Sequence, residues 1–122
     1  GLLNVGWGLF GTDPDNAFSS ISATGLTLDL TDAGFFHRVN RGGIITELSG
    51  SVTIVPNDDT SHRFTISQGA VCQVYTTFAD FIDGLNERID DGARALHVFA
   101  WGPYDDEEST MEAQHLLVVL SK

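Results

Sequence analysis

One stretch of this chain reads as a helix, although nearly all of the rest reads as strand and turn. Residues 81–102, FIDGLNERIDDGARALHVFAWG, change character halfway along. Apolar residues recur at helical spacing in the first half, and the second half has the length and composition of a strand. A single helix among strands predicts a mainly β fold in which one helix connects two strands. The apolar positions of the helix are Phe78, Ile82, Leu85 and Ile89.

Two residues are candidates for the start of this helix, and one glycine is well placed to end it. Thr77 and Asp83 both carry side-chain oxygens that can accept a hydrogen bond from a first-turn N–H group. Gly84 within the pattern costs about 1 kcal/mol relative to Ala. We therefore expect either a helix that starts at Asp83 or a short turn followed by one. Gly92 predicts the end of the helix.

The other segments have the period-two alternation of half-buried strands. In LTLDL, residues 26–30, leucines alternate with Thr and Asp. The pattern of IITELSGSVTIV, residues 44–55, predicts one long strand with Gly50 at a bend. The other predicted strands cover residues 5–10, 35–39, 62–66, 70–76, 93–102 and 110–121.

The order of these elements predicts a fold. A long strand, two strands, a helix and two more strands give the connectivity of the five-stranded OB-type barrel, in which a helix between strands three and four closes one end. We therefore predict one mainly β domain over residues 1–122, with an OB-like barrel over 44–121. Residues 1–40 are expected to add extra N-terminal strands at a sheet edge. A plain β-sandwich with one helix is the alternative.

Residues 44–121 also resemble a family of small OB-like domains of unknown function in exported bacterial proteins. The matching features are LSGSV in the first strand, FADFIDGLNERIDDG before the fourth, VFAWGPYDD at the hairpin and MEAQHLLVV in the closing strand. Gly102 stands at the family's hairpin glycine and Ala113 at its small last-strand residue, whereas Trp101 and the long acidic loop depart from the pattern. The resemblance implies an extracytoplasmic protein (periplasmic, surface or secreted) and supplies no catalytic residue.

The charge balance is strongly acidic. The chain has 17 acidic and 6 basic residues, a net charge of −11, and Lys122 as its single lysine. Such a surface repels phosphate backbones, so nucleic acid is not a predicted partner; solubility and a high-salt habitat are alternative explanations of the charge. No apolar run approaches the roughly 18–20 residues that span a bilayer, so no membrane insertion is predicted. Cys72 is the only cysteine, which excludes an internal disulfide.

Four aromatic residues are candidates for ligand binding. OB barrels bind ligands on the face of strands two and three and at the surrounding loops. Phe64 and Tyr75 fall on those two predicted strands, and Trp101 and Tyr104 lie beside the last hairpin loop. Because few basic residues are nearby, a carbohydrate or a peptide is favoured over single-stranded nucleic acid. Core packing is the competing role for Phe64, and core or rim packing for Trp101 and Tyr104.

A divalent cation is the one cofactor for which the sequence offers candidate ligands. His97 and His115 lie on the last two predicted strands at similar distances from the hairpin loop, so we expect them to be cross-strand neighbours. Asp105 and Asp106 in that loop add carboxylates. A third ligand for a histidine site is not evident, and calcium needs about six to eight oxygens. Solvated turns are therefore the competing interpretation, and no resident cofactor is predicted.

The sequence has no GxSxG, phosphate-loop, GxGxxG or zinc-protease motif. We therefore predict a non-enzymatic structural or protein-interaction β-barrel module of an exported or surface protein. A protein partner or self-association is expected, with strand-edge pairing by the N-terminal third as its mode. The alternative is a ligand-binding barrel for a carbohydrate, a peptide or a divalent cation.

Overall fold

The structure of the protein is a computed structural model that describes residues 5–10, 18–29, 36–41, 43–47, 50–57 and 63–121. These residues form a mainly β fold with one helix. The strands are β1 (Val5–Phe10), β2 (Phe18–Ser22), β3 (Gly25–Asp29), β4 (Phe36–Arg41), β5 (Ile44–Glu47), β6 (Ser51–Pro56), β7 (Arg63–Gln68), β8 (Val71–Tyr75), β9 (Ala95–Gly102), β10 (Tyr104–Asp105), β11 (Thr110–Ala113) and β12 (His115–Leu120), and the helix is α1 (Phe78–Asp90).

The strands form two mixed sheets. One has seven strands in the order β5-β4-β1-β9-β12-β7-β8, and the other has five in the order β10-β11-β6-β3-β2. Neither sheet closes on itself, so the predicted five-stranded barrel is not confirmed. The strands of the N-terminal third are divided between the sheets: β1 and β4 lie beyond β9 in the seven-stranded sheet, and β3 and β2 lie beyond β6 in the five-stranded sheet.

The two longest predicted strands are each divided between the sheets. The segment 44–55 forms β5 in the seven-stranded sheet and β6 in the five-stranded sheet, and Gly50 at the junction has φ +85°. The segment 110–121 divides at Gln114 into β11 and β12. Strand β6 pairs in parallel with β11 in one sheet, and the next strand of each, β7 and β12, pair in parallel in the other sheet, so this pairing continues from one sheet into the other. At the crossing the Asn57 N–H group donates to the Ala113 carbonyl oxygen at 2.9 Å.

One apolar core lies between the two sheets, built by period-two alternation. Each sheet turns every second side chain of its central strands inward, which removes these side chains from water and stabilises the pair of sheets. The five-stranded sheet contributes Leu26, Leu28, Val52, Ile54 and Met111, and the seven-stranded sheet contributes Phe64, Ile66, Val98, Leu116 and Val118. The inner face of each sheet is the one that carries these residues, and the outer face is the opposite one.

The helix begins at the first of the two predicted caps. Thr77 is the N-cap, and its hydroxyl accepts a hydrogen bond from the Asp80 N–H group at 3.2 Å, so the expected start at Asp83 is wrong. Gly92 follows the last turn with φ +98°, as predicted for the residue that ends the helix. The helix buries four apolar side chains against β2, β7 and β8. In the chain the helix lies between β8 and β9, the predicted third and fourth strands of the barrel. It covers one side of the core between two open sheets and does not close the end of a barrel. The buried apolar residues are Phe78, Phe81, Ile82 and Leu85.

Gly84 lies where strand β8 approaches the helix closely. A Cβ atom at Gly84 would overlap the Tyr75 hydroxyl and lie 2.7 Å from the Tyr75 Cζ atom. Arg88 holds this ring in place, because its Nη1 atom donates to the Tyr75 hydroxyl at 3.1 Å and to the Gly84 carbonyl oxygen at 2.9 Å. Its Nη2 atom donates to the Gln73 Oε1 atom at 3.0 Å. The weak helix former in mid-helix is thus explained by the tyrosine packed over it.

We expect Gly84→Ala to lower the free energy of unfolding by about 1–2 kcal/mol, because displacing the Tyr75 ring outweighs the gain of about 1 kcal/mol in helix propensity. In a Tyr75→Ala background, the same change should raise the free energy of unfolding by up to about 1 kcal/mol. Urea denaturation of the four proteins of this double-mutant cycle measures both effects. Stabilisation by Gly84→Ala in both backgrounds would contradict the close approach.

Candidate interaction face

The outer face of the five-stranded sheet is polar, as expected for a sheet in contact with water. Thr27, Thr53 and Thr110 stand side by side on β3, β6 and β11. The hydroxyl oxygens of Thr27 and Thr53 lie 3.2 Å apart, within hydrogen-bond distance. Ser20, Ser51 and Glu112 continue this face on the neighbouring positions. Polar residues outside and apolar residues inside are the usual pattern of a sheet with one solvated face.

The outer face of the seven-stranded sheet has the opposite character. On β12, Leu116 and Val118 are buried inside, yet Leu117 and Val119 on the other face are apolar as well. Strand β9 repeats this pattern, with Phe99 and Trp101 facing outward from a strand whose inward residues are also apolar. Strands that are apolar on both faces are typical of sheets covered on both sides. Among the residues that the structure describes, those of the five-stranded sheet and the helix cover the inner side of this sheet, and none covers its outer side.

An aromatic ridge, formed by His97, Phe99 and Trp101, runs along the outer side of β9, the middle strand of the seven. The His97 and Phe99 rings stack with centroids 4.6 Å apart, and the Phe99 and Trp101 rings lie 5.9 Å apart, each pair at 22°. On the neighbouring strand β1, Gly8 is opposite Phe99 and Gly6 is opposite Trp101. The aromatic ridge on β9 is thus bordered by two successive positions that carry no side chain.

On the other side of the ridge, the cross-strand register continues the apolar surface. Phe99 is opposite Leu117, which is opposite Thr65, which is opposite Val74 on the edge strand β8. Part of this surface forms an open groove of about 430 Å³. We call the whole surface the outer apolar face; its residues are Arg63, Thr65, Ser67, Cys72, Val74, His97, Phe99, Trp101, His115, Leu117 and Val119.

The outer apolar face lacks the acidic groups that dominate the rest of the chain. Strands β7, β8, β9 and β12, which are all described, contain no Asp or Glu. Among the described residues on the outer side of this sheet, the one carboxylate is Glu47 on the edge strand β5, opposite Arg38. Burial lowers the pKa of the His97 imidazole below its usual value of 6.5, because desolvation disfavours the charged form. The aromatic residues on β9 are therefore uncharged at neutral pH.

The structure separates the four predicted ligand-binding aromatics. Phe64 is fully buried in the core, which leaves it no surface for a ligand and does not support an exposed platform with Tyr75. Tyr75 faces inward beside Phe64 and is held by the helix. Tyr104 packs partly buried against the core. Trp101, 38% exposed, is the one of the four on the outer apolar face.

The two predicted histidine ligands are not cross-strand neighbours. His115 is opposite Trp101, whereas His97 is opposite Val119, four residues further along β12. At about 3.3 Å per residue, this places the two histidines roughly 13 Å apart along the sheet. The equal-distance count fails because the hairpin between β9 and β12 contains β10, β11 and a change of sheet. Within the described ranges, no group of three or more His, Cys, Asp or Glu residues has the arrangement of a metal site.

The acidic hairpin loop has a structural arrangement of its own. The Asp105 Oδ1 atom accepts hydrogen bonds from the backbone N–H groups of Glu107 and Glu108, at 2.9 and 3.2 Å. Asp106 and its neighbours line an open groove of about 760 Å³ together with Glu112. Asp105 thus stabilises the turn, a common role of Asp in loops.

The residues that sequence reasoning did not select are the aliphatic members of the outer apolar face. In the sequence, Leu117, Val119 and Val74 do not differ from ordinary strand residues. The signal that identifies them is the unbroken apolar run LLVVL at residues 116–120, where a half-exposed strand would alternate.

The described helix is too short and too polar to cross a membrane. No family model, no curated protein and no solved structure matches this chain, so the OB-like resemblance stays a prediction.

Proposed function

We propose that this protein is a non-enzymatic protein-interaction module that binds a protein partner through the outer apolar face. The observation that carries the proposal is the contrast between two outer faces of one molecule. The threonine row of the five-stranded sheet suits water, whereas the aromatic and aliphatic side chains of the seven-stranded sheet do not. An exposed apolar surface of this kind, with polar surroundings, is typical of interaction sites.

The composition of the face favours a protein partner over a small ligand. Its aromatic residues lie on β9, the middle strand of the sheet, and aromatic side chains are enriched among the interface residues that dominate binding. The surface is broad and open, whereas sites for small molecules are concave and enclose most of the ligand. Among the described strands, edge pairing by the N-terminal third is restricted to β2, which ends the five-stranded sheet, since β1, β3 and β4 are each paired on both sides.

A photo-crosslinking experiment tests this function with a control on the same strand. Val74 and Val71 on β8 are 54% and 59% exposed, but they alternate to opposite sides of the sheet. A benzophenone amino acid at position 74 should give protein adducts in cells that express the chain. The same group at position 71 should give few. Equal labelling from both positions, or none from position 74, would overturn the proposal.

A further inference from the structure

We infer that the partner of the outer apolar face is a second copy of this chain, bound face to face; this inference rests on the proposed function. Two copies with a net charge of −11 each repel one another over most of their surfaces. In the described structure, carboxylates occupy the helix and the acidic hairpin and are absent from β7, β8, β9 and β12. The outer apolar face is therefore the surface on which two copies can meet with the least repulsion.

The shape of the face suits a two-fold arrangement. An interface with two-fold symmetry uses the same surface on both copies, so this surface must complement itself. The aromatic ridge on β9 and the glycine positions Gly6 and Gly8 on β1 are adjacent. Because no side chain projects at the two glycine positions, the aromatic ridge of each copy can pack over Gly6 and Gly8 of the other copy. Sheets packed face to face interdigitate their side chains in this way at about 10 Å separation.

The area of the sheet reaches what a specific dimer needs only when all seven strands take part. At about 4.8 Å between strands and 3.3 Å per residue, seven strands of six residues cover about 670 Å². Two copies would then bury about 1,300 Å², near the lower end of the range for specific interfaces. The four strands from β9 to β8 alone would bury about 800 Å² in total. The interface must therefore extend beyond the outer apolar face over β1, β4 and β5, where Glu47 and Arg38 are opposite one another, and association in the micromolar range is expected.

Sedimentation equilibrium of the purified full chain tests this inference. Between about 5 and 500 µM, a micromolar dissociation constant predicts that the average mass rises from that of one chain, 13.2 kDa, towards twice that value. Raising NaCl from low to about 0.5 M should strengthen association, since salt screens the repulsion between acidic copies.

Trp101→Lys and Val74→Lys should each weaken the dimer by at least about tenfold. Val71→Lys adds the same charge to the other side of the sheet and should change the constant less than about twofold.

Several outcomes would overturn the inference, and they are distinguishable from failure of the proposed function. If the chain is monomeric at every concentration and salt, and position 74 forms adducts with another protein, the inference of a dimer is wrong and the proposed interaction face is retained. If Val71→Lys weakens the dimer as much as Val74→Lys does, the outer apolar face is not the dimer interface. Urea denaturation of each variant shows that a lost dimer is not a lost fold. Alkylation of Cys72, which lies on the face, should slow as the dimer forms.

Discussion

Replacing Gly102 with alanine is expected to lower the free energy of unfolding by more than about 3 kcal/mol, enough to unfold a marginally stable domain. Gly102 ends strand β9 with φ +153°, a conformation that favours glycine. A Cβ atom there would overlap the carbonyl oxygen of Glu112 and lie 3.3 Å from the backbone nitrogen of Gln114. Both obstacles are backbone atoms, so no side-chain rotation can make room.

The backbone around Gly102 cannot easily move away, because hydrogen bonds hold it. The Gln114 N–H group donates to the Trp101 carbonyl oxygen at 2.8 Å, and the Glu112 N–H group donates to the Pro103 carbonyl oxygen at 2.9 Å. These bonds fasten the end of β9 to the junction at which β11 leaves one sheet and β12 enters the other. An added methyl group would therefore disturb the connection between the two sheets.

Gly92→Ala is the matched control for this prediction. Gly92 also has a positive φ, +98°, but nothing lies within 4 Å of the position of an added Cβ atom. Its substitution should cost only the backbone strain, about 1 kcal/mol. Urea denaturation of both variants separates strain from overlap. Similar losses of stability in the two proteins would contradict the close packing at Gly102.

Replacing Phe64 with alanine is expected to lower the free energy of unfolding by about 3–5 kcal/mol. The side chain is fully buried, and its ring centroid lies 5.5 Å from that of Phe78 and 5.9 Å from that of Phe81. The loss combines the removed apolar burial with a cavity between β7 and the helix, which the packed rings cannot fill completely. Because the helix is fastened to the sheet through this cluster, its protection from hydrogen exchange should fall as well.

The control for Phe64 lies on the next strand and on the other face of the same sheet. Val74 is 54% exposed, so Val74→Ala should change the free energy of unfolding by less than about 0.5 kcal/mol. A loss below about 1 kcal/mol for Phe64→Ala would contradict its place in the core. It would return Phe64 to the exposed ligand platform that the OB-like pattern suggested.

These effects separate the two faces of the seven-stranded sheet. The inner face determines whether the chain folds, so its substitutions should be read in denaturation. On the outer apolar face, Trp101 and Val74 are 38% and 54% exposed, so their substitutions should affect association more than stability. A protein whose exposed apolar residues can be replaced without loss of stability retains them at a cost in solubility, which supports a role in binding.

The local features of this chain were predictable from its sequence. Hydrophobic spacing located the helix, and Thr77 and Gly92 lie at its two ends as their chemistry suggests. Period-two alternation located β3, β7, β8 and β9 to within a few residues. These predictions succeeded because helix periodicity, capping and strand alternation depend on residues that are close together in the chain.

Long-range pairing was not predictable in the same way. Gly50 looked like a bend within one strand, but there the chain passes from one sheet to the other. Nothing in the run around Gln114 signals the second change of sheet, because the residues on both sides continue a strand pattern. The register error for His97 and His115 follows directly from the missed crossing.

The sequence by itself determined the class of the protein: an acidic, mainly β chain with one capped helix and apolar alternation sufficient for a core. Only the tertiary structure decided which strands pair, and hence which residues share a face. Trp101, Leu117 and Val74 are separated in the chain and come to lie on one face of one sheet through strand pairing alone. Alternation specifies that a side chain is on one of two faces, but the packing of the other sheet determines which face becomes the core. The outer apolar face is therefore a property of the folded molecule that no single segment encodes.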